Sequence, residues 1–206
     1  MIRAILFDFG NVVGFFDHRR ATARFAKASK LSQDEMYAAL YAGALEHEFE
    51  SGRMTSEEFV AHASDLIGYQ KSPSEFHAEF IDIFSPNPPV IELIPQLRPR
   101  YKVVLASNTN VLHSAHFRAQ YADVLKHFDA LGMSFEAGVR KPAPDFYRYC
   151  ARLGAVDAAE CLFIDDVQLN VDGAQAVGMK AILYTPEVDL PAALSEHGVI
   201  LSESKG

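Results

Sequence analysis

The sequence predicts an α/β fold: a Rossmann-like, doubly wound, mainly parallel sheet with a small helical cap inserted after its first strand. Three observations carry this. Short continuous apolar runs bounded by breakers recur along the chain, as buried parallel strands do. Helical patterns lie between most of them, which implies βαβ units. One long stretch near the N-terminus breaks the alternation and holds helix-start signals alone.

Ala4-Ile5-Leu6-Phe7 reads as the first strand and ends at Asp8. The stretch from about Phe15 to Asn87 contains no good strand. It carries three capping-box signatures, Ser32…Glu35, Thr55…Glu58 and Ser72…Glu75, the last with Pro73 at the first helical position. Phe59, Ala63, Leu66 and Ile67 keep one helical face apolar. Ser85-Pro86-Asn87-Pro88-Pro89 reads as a stiff linker that closes the insertion. Lys102-Val103-Val104-Leu105-Ala106, Cys161-Leu162-Phe163-Ile164 and, after the helix stop Gly178, Lys180-Ala181-Ile182-Leu183-Tyr184 supply the later strands. The expected organisation is a core of residues 1–14 and 88–206 and a helical cap of residues 15–87.

Composition narrows the function. The chain has 206 residues, 49% of them apolar and 22% charged, as an ordinary globular protein has. A formal net charge of -8 and the lack of a basic tract argue against nucleic acid as a partner. No apolar run approaches the roughly 20 residues of a membrane span, and nothing resembles a signal peptide, so a cytoplasmic protein is expected. Cys150 and Cys161 form neither a disulfide framework nor a metal knuckle and read as buried thiols.

In a sheet of this kind ligands bind at the carboxyl ends of the strands. Four groups of polar residues converge there: Asp8; Ser107 and Asn108; Lys141, in the loop Val139-Arg140-Lys141-Pro142; and the pair Asp165-Asp166. Each alone has a structural reading, as turn former, helix cap or solvated lysine. Together they suit a divalent cation and a phosphate. Oxygen ligands hold Mg²⁺ and a lysine neutralises developing charge. A carboxylate can attack phosphorus. Two adjacent acids at a buried strand end also call for a nearby cation.

The same residues resemble the haloacid dehalogenase superfamily of phosphohydrolases, over nearly the whole chain. "FDFGNVV", "LASNTN", "GVRKPAPDFY" and "FIDDVQLNVDGAQAVGM" look like its four motifs. More narrowly, the sequence is similar to a bacterial branch that includes an α-D-glucose-1-phosphate phosphatase, and more distantly to the phosphatase domain of soluble epoxide hydrolase. The resemblance implies a Rossmann-like core with a cap and a Mg²⁺-dependent phosphatase of small phosphorylated molecules. Asp8 would be the nucleophile and Lys141 the cation. Ser107, Asn108 and Asn110 would face the phosphoryl group. Asp8, the Gly10 carbonyl and Asp166 would hold the metal, with Asp165 and Asn170 behind them.

One position departs from the pattern. Most phosphatases of the superfamily place a second Asp two residues after the nucleophile, as general acid and base; here it is Gly10. An acidic leaving group, a substitute among Asp17, His18 and His113, or slow turnover would each accommodate that loss. Two other readings stay open: a dehalogenase, which also lacks the second Asp, and a non-catalytic module binding phosphorylated ligands. Phe15, Phe16, Arg20, His47 and Asn110 are candidate pocket residues. Glu46, His47 and Glu50 have residue types that chelate a metal, but read first as a solvated helix face. The sequence leaves the substrate and the oligomeric state open.

Overall fold

A computed structural model describes residues 1–202 of the chain. Its main sheet has five parallel strands in the order β5-β4-β1-β6-β7. We label the strands β1 (Ala4–Phe7), β2 (Gly14–Phe16), β3 (Phe84–Pro86), β4 (Lys102–Ser107), β5 (Ala130–Met133), β6 (Cys161–Asp165) and β7 (Lys180–Leu183). The expected α/β class, with its mainly parallel sheet, is what the structure has.

The apolar runs are continuous because both faces of the sheet are covered. Ile5, Phe7, Val103, Leu105, Leu162 and Ile164 point to one side, where Leu93, Ile94 and Phe117 pack. Ala4, Leu6, Val104, Ala106 and Phe163 point to the other, against Phe146, Tyr147 and Cys150. The first of these clusters runs on into the inserted helices, where Phe25 stacks on Phe76 at 4.6 Å between centroids and Phe49 on Phe59 at 4.2 Å.

Five helices lie between β2 and β3: His18–Phe25, Gln33–Tyr41, Ala44–Glu50, Ser56–Ile67 and Pro73–Ile81. All three capping boxes form, and Pro73 occupies the first turn of its helix. Two expectations need correction. The insertion is not free of strand: Gly14–Phe16 pairs antiparallel with Phe84–Pro86. The proline-rich stretch is not a plain linker either. Pro86 ends this ribbon and Pro88 opens the helix Pro88–Leu97, two places where a missing N–H costs little. Between them Asn87, 3% exposed, donates from Nδ2 to the Val12 carbonyl and to Tyr184 Oη. The ribbon thus fixes where the chain leaves the sheet and where it returns. Strand β5 carries little signal in the sequence, because Gly132 interrupts an edge strand of four half-apolar residues. No helix among the described residues is long and apolar enough to cross a membrane.

Candidate active site

Strand register brings the expected residues together. Phe7 pairs with Leu105 on one side and Ile164 on the other, so Asp8 and Asp165 follow on neighbouring strands. Ser107 ends β4, and Asp166 follows β6. Lys141 arrives from the loop that enters the helix Pro144–Leu153. Asn108 holds that loop: its Oδ1 accepts from the Lys141 amide at 2.8 Å and its Nδ2 donates to the Lys141 carbonyl at 3.2 Å.

Lys141 Nζ lies 2.7 Å from Asp8 Oδ1 and 2.7 Å from Asp165 Oδ2. Its side chain is 1% exposed. Burial opposes its charge, but Asp8 and Asp165 hold its pKa above the ordinary lysine value. Asp165 is committed to this role. Both its oxygens accept from Asn170 Nδ2, at 3.0 and 3.2 Å, and Oδ1 accepts from the Val167 amide at 2.8 Å. Asp166 is freer, with Oδ2 accepting from Asn11 Nδ2 at 2.9 Å.

Carboxylate oxygens of Asp8, Asp165 and Asp166 lie within 4.8 Å of one another. Three acids against one ammonium leave a deficit of two charges, which a divalent cation matches. Burial, with Asp165 and Asp166 nearby, pushes Asp8 up to about 8 against the pull of Lys141. Burial also raises Asp166. The donor set therefore fits Mg²⁺: hard oxygens from Asp8 and Asp166, with Asp165 spent on Lys141. The Gly10 carbonyl, on the same cavity wall, accepts no hydrogen bond among the described residues.

These groups line a cavity of about 320 Å³. Asp8, Gly10, Ser107, Asn108, Lys141, Asp166 and Asn170 are all on its wall. Asn110 is not. It caps the helix Val111–Gln120, accepting from the His113 amide at 2.9 Å and facing His113 Nδ1 with its Nδ2 at 3.0 Å. Of the other pocket candidates only Phe16 lines the cavity. Arg20 turns to the Phe84 carbonyl and Asp82, and His47 is exposed beside Glu48.

The space above Gly10 is filled. A Cβ there would meet the Phe16 ring at 2.8 and 3.0 Å. The Phe16 and His18 rings are 4.9 Å apart, and His18 stacks on Tyr41 at 3.9 Å. Burial lowers the His18 pKa to about 4. His113 is lowered further, to about 3, by burial and by His18. Both His113 nitrogens are occupied, Nδ1 by Asn110 and Nε2 by the Phe80 carbonyl at 3.2 Å, so Nε2 carries the proton. Asp17 caps the helix His18–Phe25 and does not line the cavity. Of the three possible substitutes for the missing acid, His18 alone lines the cavity with its ring uncommitted to hydrogen bonds among the described residues.

Four further wall residues do not stand out in the sequence as members of the site. Tyr41, Glu46 and Glu50 come from the inserted helices, and Arg140 precedes Lys141. Glu50 Oε2 lies 2.8 Å from Arg140 Nη2. Spacing holds a partial signal, since Glu46 and Glu50 stand four apart on one helical face. That face is solvated only at His47: tertiary packing buries Glu50 and half-buries Glu46.

The family described as haloacid dehalogenase-like hydrolase matches residues 2–178. D-ribitol-5-phosphate phosphatase of Bacteroides thetaiotaomicron is 28% identical over 193 residues, 91% of this chain and 93% of that one. A phosphatase of Mycobacterium tuberculosis is 27% identical, covering 88% of this chain and 87% of its own. Among solved structures, a HAD family enzyme of B. thetaiotaomicron in complex with magnesium and inorganic phosphate has a TM-score of 0.80 at 22% identity, over 94% of this chain and 99% of that one. With a parallel sheet that collects an aspartate, a lysine and an acidic pair at its carboxyl edge, and a family match over most of its length, this chain belongs to the haloacid dehalogenase-like hydrolases.

Proposed function

We propose that the protein is a Mg²⁺-dependent phosphatase of small phosphorylated metabolites that works through an aspartyl-phosphate on Asp8. The observation that carries this is the cluster of Asp8, Lys141 and Asp166 facing one small cavity, with Asp165 buried behind Lys141. Full-length relatives named as phosphatases support it. Asp8, Asp166 and the Gly10 carbonyl would hold the metal, which supplies positive charge to the phosphoryl oxygens and keeps Asp8 ionised.

The chain's own residues do the rest in this reading. Asp8 attacks phosphorus: an oxygen–phosphorus bond forms to its carboxylate while the bond to the leaving oxygen breaks. Lys141, held by Asp165, neutralises the transferring group. Ser107 and Asn108 flank it, Asn108 chiefly by fixing the Lys141 loop. Water then attacks the aspartyl-phosphate and releases inorganic phosphate. Gly10 moves no proton; His18, neutral near pH 7, would accept one from the water that attacks the aspartyl-phosphate, and the leaving oxygen takes its proton from solvent. Held down to about 4, its ring has the basicity of a carboxylate, the group it would replace. Residues 15–87 act as the cap that closes the cavity and excludes water. A dehalogenase would attack carbon without a cation; three carboxylates around one lysine favour the metal-dependent reading.

Phosphate release from a panel of phosphorylated metabolites, with Mg²⁺ and with EDTA, tests the proposal. Release that needs Mg²⁺ is expected. Asp166→Ala should raise the Mg²⁺ concentration required at least tenfold, and an unchanged requirement would move the ligand elsewhere.

A further inference from the structure

Away from the phosphoryl end, the cavity wall is polar and only partly satisfied. Tyr41 Oη, Glu50 Oε2 and Arg140 Nε are buried with no hydrogen-bond partner in the described structure. Glu50 is 8% exposed, and its Oε2 touches Arg140 Nη2 at 2.8 Å without hydrogen-bond geometry. Glu46 stands one turn before it on the same wall. All four residues line the cavity that holds Asp8 and Lys141.

Their placement is rigid. The Glu50 carbonyl lies 2.6 Å from Ser134 Oγ, which also accepts from the Thr109 amide at 2.9 Å. Behind Glu50 the chain turns at Gly52, whose φ is +69° and whose Cβ, if present, would meet the Phe135 carbonyl at 2.3 Å. Only glycine fits there. The inserted helix Ala44–Glu50 is thus pinned to the ends of β4 and β5, and Glu50 is set against Arg140 before any ligand arrives.

The set mixes an unpaired donor, an unpaired acceptor and a phenol that serves as either. A hydroxyl, itself donor and acceptor, completes it. A carboxylate would have to take Arg140 from Glu50, which already holds it at 2.8 Å. We propose that Tyr41, Glu46, Glu50 and Arg140 form a hydroxyl-reading subsite that selects monophosphates with an uncharged polyol end and rejects those carrying a second anion. This rests on the phosphatase reading and deepens it. Supporting it, burial and Glu50 push the Glu46 carboxyl up to about 8, so near neutral pH it offers this wall an uncharged donor and acceptor, as a hydroxyl-reading surface needs. Glu50 is raised as well, chiefly by burial.

The test compares sorbitol 6-phosphate with 6-phosphogluconate, six-carbon chains that end in a hydroxymethyl group and a carboxylate, using p-nitrophenyl phosphate to read the phosphoryl site without a polyol. For the wild type, kcat/KM should favour sorbitol 6-phosphate by at least tenfold. Glu50→Gln frees the Arg140 guanidinium and should shift that ratio towards 6-phosphogluconate by at least tenfold. Tyr41→Phe removes only an unpartnered hydroxyl, so the fold tolerates it. It should lower kcat/KM for sorbitol 6-phosphate by about tenfold, chiefly through KM. Hydrolysis of p-nitrophenyl phosphate with equal kcat/KM for the two six-carbon substrates, or with a ratio that neither variant moves, overturns the subsite and leaves the phosphatase standing. Hydrolysis of none of the three overturns both.

Discussion

Gly10 and Phe16 compete for one space, and that competition explains the most unusual position in the site. An aspartate at position 10 would have to displace the Phe16 ring, which sits 2.8 Å from the place of its Cβ. Shortening residue 16 removes that ring and opens the space. Gly10→Asp alone should therefore gain little, whereas Gly10→Asp with Phe16→Ala should raise kcat by about 10²-fold, the lower end of what a positioned acid and base contributes. A double variant no faster than wild type would show that proton transfer does not limit this chain. At this scale the sequence was legible where charge stood beside a strand: Asp8, Lys141, Asp165 and Asp166 all reach the cavity or its immediate support. It was not legible for Asn110, whose residue type suits a phosphate contact and a helix cap equally well. In the structure the cap takes both its polar atoms.

Two kinds of element hold the molecule, and their energies differ. A capping box is a local device. Thr55→Ala removes the acceptor for the Glu58 amide and should cost about 1 kcal/mol in urea unfolding. The end of β6 is a network. Asp165→Ala strips Lys141 of one of its two carboxylates and leaves Asn170 and the Val167 amide without their acceptor. That change should cost about 2–4 kcal/mol, because Lys141 keeps Asp8 but two buried donors lose their acceptor, at roughly 1–3 kcal/mol each. If the two variants lost equal stability, Asp165 would not be the anchor described. The boxes were readable because each is written within four residues. The ribbon of β2 and β3 was not: its strands are three residues each and far apart in sequence, and one ends in proline. Glu46 and Glu50 show the same limit, since their helix has polar residues on most sides and only packing against the ends of β4 and β5 decides which acid is buried.

Across the whole molecule, the inserted helices and the sheet share one apolar cluster, and His113 lies where they meet, stacked on Phe80 at 4.2 Å. Its pKa of about 3 lies below the unfolded value of 6.5, so the unfolded chain binds more protons between those pH values. The part of the stability that comes from neutral His113 should thus be complete above about pH 6.5 and decline as pH falls towards 3, while the raised carboxyls of Asp8 and Glu46 act the other way over the same range. His18 acts in the same direction as His113. By pH 5 His113 alone should account for about 2 kcal/mol, since every tenfold difference in proton affinity between folded and unfolded chain is worth about 1.4 kcal/mol. Urea midpoints at pH 7 and pH 5 measure this, and His113→Gln should be less stable at pH 7 but lose less on acidification. A His113→Gln midpoint that shifts between the two pH values by as much as the wild type's would contradict it. The fold class was legible at this scale because buried parallel strands need continuous apolar runs, and the site followed because parallel strands all end on one edge. The central claim is that Asp8 becomes phosphorylated, and it is tested most directly by quenching turnover in acid and mapping phosphate on the Asp8 peptide. The label should appear on Asp8 with Mg²⁺ and be absent with EDTA or in Asp8→Asn. Turnover that leaves Asp8 unlabelled, together with an active Asp8→Asn protein, would contradict the account.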